Sequence, residues 1–213
     1  MPDPTPIDLL AGFPGWVTEF DLQFRQEASR SASGVTVVKD LGPPLWVMAA
    51  QSRTLRPNLL DEWRARLQAM ENGLNRFRGY AFSRCYPVRY PKGSWPAGGG
   101  FDGTNGALAD IDEDDRGVID VEDFPAGYAF SIGDMIQVGD TDLHRVMAAG
   151  VTGGGGDVAG LKVHPPLWFG VEAGAALSVV KPSSIMSIVP GSISTQADLT
   201  GRGSVTFRAQ EVR

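Results

Sequence analysis

The chain has 213 residues, 19 basic and 25 acidic for a formal charge of −6, with 42% apolar types and dense punctuation by 27 Gly and 15 Pro. A chain of this length buries about 70% of its unfolded surface, so it needs no disulfide framework and reads as one or two globular domains. The acidic balance argues against a phosphate-gripping surface, and Cys85 with His144 and His164 is too small a nitrogen and sulfur inventory for a structural zinc site.

The longest uncharged run, Pro182 to Ala197, holds two prolines and six Ser/Thr residues, far from the ~18 consecutive apolar residues of a membrane helix. Met1-Pro-Asp-Pro-Thr-Pro has no basic n-region followed by an apolar h-region, which predicts no secretory signal and folding in the cytoplasm.

After this start, Trp16, Thr18, Phe20, Leu22 and Phe24 alternate with Val17, Glu19, Asp21 and Gln23, the period of a half-buried strand. The polar stretch 26–34 separates it from a strand over Val35–Lys39, and Gly42-Pro43-Pro44 separates that from a strand over Leu45–Ala50, giving a three-stranded meander. The period then switches. Leu59, Leu60, Trp63, Leu67 and Met70 recur at helical spacing, with Asn58 as N-cap and Gly73 as C′ residue, and predict an amphipathic helix over 58–72 that closes one side of a β core.

Strand character returns over 76–83, and Tyr90 to Gly100 reads as a loop. Residues 101–125 crowd Asp and Glu around the single Arg116 and are expected to form an exposed acidic loop at a soft domain boundary. Further strands are predicted over 129–138, 143–148, 158–164, 176–180, 184–189 and 204–209, with Gly153 to Gly156 as a flexible hairpin-like connection. The expected fold is mainly β: a β-barrel or sandwich-type domain over 1–100 with one amphipathic helix, the acidic loop 101–125, and a smaller C-terminal β module with closing strand over 126–213.

Candidate chemistry is sparse. Asp112, Asp114, Asp120 and Asp123 stand at positions 1, 3, 9 and 12 of an EF-hand-like run with Gly117 at position 6. Arg116 occupies a ligand position, Asp123 is shorter than the usual Glu, and flanking helices are missing, so the run reads as a solvated acidic loop in preference to a calcium site. Cys85 has no sequence-local His, His144 sits within a strand and His164 precedes Pro165-Pro166, so none is assigned a catalytic role. The glycine run lacks the Lys-Ser/Thr of a phosphate loop. Trp46, Trp63, Trp95 and Trp168, with Tyr80, Tyr86 and Tyr90, are read as core or interface aromatics before a sugar platform. No catalytic, cofactor or metal residues are assigned, and the chain is not expected to be an enzyme.

The order of features resembles the distal tail proteins of long-tailed (siphovirus-type) bacteriophages and gene transfer agents. The resemblance rests on the early meander, the Trp63 helix with Gly73-Leu-Asn-Arg-Phe77, the stretch Tyr86-Pro-Val-Arg-Tyr-Pro-Lys-Gly93, and a late run. That run comprises Phe130-Ser-Ile-Gly-Asp134, Leu143-His-Arg-Val146, Leu161-Lys-Val-His-Pro-Pro-Leu167 and Val180-Lys-Pro182. The resemblance implies a structural virion protein of the tail tip or baseplate, made in the host cytoplasm. It also implies a homohexameric ring joining the tail tube protein to the tail hub protein, with DNA passing through the lumen unbound. Six copies would carry roughly −36 in formal charge, which would repel passing DNA where acidic groups face the lumen. The alternative is a tail-associated carbohydrate-binding module that recognises host surface glycan.

Overall fold

The structure is a computed structural model that describes residues 6–96 and 100–213, with the side chain of Trp16 outside the description. The Pro-rich opening and positions 97–99 of the expected loop thus fall outside the described residues. The chain forms two compact units, Met1–Gly79 with Ile185–Arg213, and Tyr80–Ser184. No helix among the described residues is long and apolar enough to cross a membrane.

The strands of the first unit begin with β1 (Gly15–Gln23), β2 (Gln26–Arg30), β3 (Thr36–Asp40) and β4 (Leu45–Ser52), followed by α1 (Pro57–Gln68) and β5 (Arg76–Gly79). The second unit holds β6 (Gly106–Ile111), β7 (Val118–Glu122), β8 (Ala129–Phe130), β9 (Met135–Val138), β10 (Asp142–Val146), β11 (Gly150–Val151), β12 (Val158–His164) and β13 (Ala176–Ser178). The chain then returns to the first unit with β14 (Ser184–Ile188), β15 (Ser194–Ala197) and β16 (Gly203–Glu211). The mainly β class with one amphipathic helix is as the alternation predicts.

In the first unit the sheet order is β1-β4-β16-β14-β5, with β15 paired beside β16. The meander is corrected. β1 pairs β4 directly, from Val17 opposite Gln51 to Gln23 opposite Leu45, and among the described residues β3 pairs only β2. The stretch 26–34, read as a polar separator, supplies β2. Thr18, Phe20 and Leu22 of β1 face the same side as Trp46, Met48 and Ala50 of β4, and Phe20 stacks on Trp46 at 5.3 Å.

Helix α1 seals that side. Leu60, Trp63 and Leu67 are buried at helical spacing, and Phe13 meets the Trp63 ring edge-on at 5.0 Å and Phe207 at 5.6 Å. Its ends differ from expectation. Pro57, which needs no N–H partner, takes the first helical position, so Arg56 and not Asn58 is the N-cap. Ala69 is the C-cap, and Gly73 instead ends a separate short turn, Glu71–Gly73, at φ +106° against the Ile188 carbonyl oxygen.

The second unit is the closed barrel, in the order β10-β12-β7-β6-β13-β9 with every neighbour antiparallel. Closure removes the free edges that an open sheet exposes. Its core holds Leu108, Ile119, Val121, Ile136, Val138, Val146, Leu161 and Leu177, capped by a ring cluster of Tyr90, Phe101, Phe124, Tyr128 and Phe130. Two expectations change here. The barrel lies in residues 80–184, whereas 1–79 with 185–213 make the open sheet, because β16 returns to pair β4 and completes that sheet from the far end of the chain. The segment 101–125 is not a loop: β6 and β7 form an antiparallel hairpin of the barrel wall, with Leu108, Ile119 and Val121 turned inward.

Candidate functional site

The sequence-selected residues do not converge. Asp112 Oδ1 accepts the N–H groups of Asp114 and Asp115 at 3.0 and 2.8 Å, and Asp115 Oδ1 accepts that of Gly117 at 2.9 Å, so these carboxylates brace the β6–β7 turn. Asp120 stands in β7 and accepts the Gly160 N–H at 2.8 Å, directed along the barrel wall and away from the turn. No group of three His, Cys, Asp or Glu residues fit to hold a metal occurs among the described residues. Arg116, placed in the sequence where a cation ligand would stand, donates to the carbonyl oxygens of Leu167, Trp168 and Val171 at 3.0, 2.6 and 3.0 Å.

His144 is buried, its Nδ1 2.7 Å from the Pro165 carbonyl oxygen. His164 is half-buried opposite Arg145, and desolvation, then the guanidinium, pushes its pKa below the ordinary imidazole value. Burial raises the Cys85 thiol, with Lys181 opposing, which favours the unreactive protonated form. Gly156 ends the glycine run at φ +86° with no room for a Cβ beside the Phe124 carbonyl, so this connection is conformationally required. Trp46, Trp63, Tyr80 and Tyr90 are buried, and Trp95 packs against the barrel core. Phe169, unselected in the sequence, is 91% exposed with the Arg116 guanidinium 5.6 Å from its ring.

The surface that departs most from an ordinary monomer is the hairpin β2–β3. Every residue from Gln23 through Leu41 is exposed, and among the described residues the two strands pair only with each other. Phe24, Val35, Val37, Val38 and Leu41 are each more than half exposed. An isolated two-stranded hairpin is marginal in water, and the exposed part of its apolar side chains is buried only when another surface covers it. The register Gln26↔Asp40, Glu27↔Lys39, Ala28↔Val38, Ser29↔Val37 places Glu27, Lys39, Ser29 and Val37 on one face.

The same unit carries a receptive surface on the side of the sheet away from α1. Across β1, β4 and β16 run the rows Val17–Gln51–Thr206, Glu19–Ala49–Arg208 and Asp21–Val47–Gln210. Val17, Glu19, Ala49, Gln51, Thr206 and Arg208 line a shallow trough of about 240 Å³. β1 is the outer strand of that sheet, with one edge unpaired among the described residues. The signal for the hairpin was present in the β-branched run Thr36-Val-Val and in Gly34 at a turn, but Gln26–Arg30 lacks any apolar alternation.

No known protein family matches the chain, and no curated protein matches it.

Proposed function

We propose that this chain is a structural, non-catalytic subunit of a bacteriophage tail tip that assembles into a ring, six-fold by the resemblance above, between tail tube and hub. The observation that carries the reading is the β2–β3 hairpin: ten strand residues, all exposed, with exposed Phe24, Val35 and Leu41 beside them. A hairpin and an outer sheet face are different surfaces of one unit. A contact between them on successive copies is heterologous, the type that forms a ring when its rotation closes and a filament when it does not. The virion location, the neighbours and the unbound passage of DNA belong to the same proposal. Negative-stain electron microscopy of the purified chain tests it: closed rings are expected, and isolated particles of single-chain size at micromolar concentration contradict it.

Carbohydrate binding is the second reading, favoured by one feature of the barrel unit. Phe169 is presented on a loop fixed by Arg116, next to a shallow depression of about 380 Å³ lined by Asp140, Thr141, Glu172 and Gly170. An exposed ring beside carboxylate acceptors suits the apolar face and hydroxyls of a sugar. Glycan-array binding that Phe169→Ala abolishes would support it, and no binding on such an array counts against it.

A further inference from the structure

The two exposed features of the first unit match each other in charge order. We infer that the β2–β3 hairpin of one copy seats on the β1–β4–β16 trough of the next, with Lys39 over Glu19, Glu27 over Arg208, and Val37, two residues from Lys39, over the neighbouring row at Val17. The inference rests on the ring reading and specifies its interface. The occupant is a second copy of this chain because the complementary pattern lies on the chain itself. Glu27 and Lys39 are direct cross-strand partners, and Glu19 and Arg208 flank Ala49 in a single row across three strands. That row spans about 10 Å between its outer strands, within reach of two long side chains pointing outward from a facing hairpin.

None of these four charges is held in an ion pair within its own chain among the described residues. All four are exposed, so neither surface already covers the other inside one chain. Two opposed charge pairs admit one orientation of the hairpin and penalise the reversed one by placing like charges together, which is how charge order fixes register at an interface. Val37, 57% exposed on the same hairpin face, supplies the apolar contact, and Val17, 53% exposed, lies in the neighbouring row of the trough. The surrounding Ala49, Gln51 and Thr206 leave room for it.

Charge reversal on the full chain tests the arrangement, read as oligomer fraction against concentration by mass photometry, with far-ultraviolet circular dichroism to confirm folding. Glu19→Lys and Lys39→Glu are each expected to weaken assembly about tenfold or more, and the double variant to recover to within about threefold of the parent. Val37→Glu is expected to abolish assembly while leaving the monomer folded, since that side chain contributes no core packing. If the parent assembles and the single reversals leave assembly unchanged, or the double variant is no better than either single, this interface is wrong while the ring reading stands. A parent that stays monomeric overturns both.

Discussion

Arg116 shows how one side chain can decide whether an acidic segment is a ligand loop or a structural turn. Its guanidinium spends three donors on backbone carbonyls of the 167–171 loop, a task that needs the planar fork and fixed charge of arginine. Arg116→Lys keeps the charge but loses the fork. It is expected to lower the stability of the barrel unit by about 2 kcal/mol in urea unfolding, with Arg116→Ala at least as severe. Equal stability of the arginine and lysine forms would mean that the three bonds contribute nothing net.

His164 gives a pH signature at the same scale. Its folded pKa lies below the ordinary value, so the unfolded chain binds the proton more readily than the folded one. The stabilisation is therefore complete above about pH 6.5, the usual imidazole value, and is lost as pH falls from there through the lower folded pKa. Thermal melts between pH 7.5 and 5.5 should show a declining melting temperature that His164→Asn flattens. An unchanged slope in that variant would assign the decline to other groups.

At the scale of elements, what was legible follows from who supplies the partner. β1, β4 and β12 each alternate or run apolar over enough residues to declare a strand, and Leu60, Trp63 and Leu67 declare α1 by spacing alone. β6 and β7 were obscured because their outward positions carry Asp and Glu: the charge count dominated an alternation that Leu108, Ile119 and Val121 keep intact. β2 was invisible for the opposite reason. All five of its residues are exposed, so no core imposes a pattern on it. The EF-hand-like spacing misled because a linear ligand order means nothing once half of it lies in a strand. For β2 and β3, amide hydrogen exchange over Gln26–Asp40 should be rapid in dilute solution and slow by tenfold or more on assembly, because an unsupported hairpin opens locally at little cost. Protection that does not change with concentration would show that the hairpin is stable without a partner.

The whole molecule joins two units built on different solutions to the edge problem. The barrel of Tyr80–Ser184 closes on itself, whereas the sheet of the other unit leaves β1 as an outer strand and sends out a hairpin. That contrast was not readable in chain order, because the open sheet is completed by β16, more than 150 residues after β4 begins. Long-range pairing leaves no local trace in composition or periodicity. The proposed interface shared this obscurity: β2 lacked an apolar pattern, and the trough exists only once β1, β4 and β16 lie side by side.

The central claim is that this surface exists to hold another copy of the chain, and the most direct measurement is the mass of the purified chain across concentration. The account predicts a concentration-dependent transition from the single chain to one closed species, six-fold by the sequence resemblance, without a ladder of ever larger oligomers. A protein that remains a single chain up to tens of micromolar would contradict it.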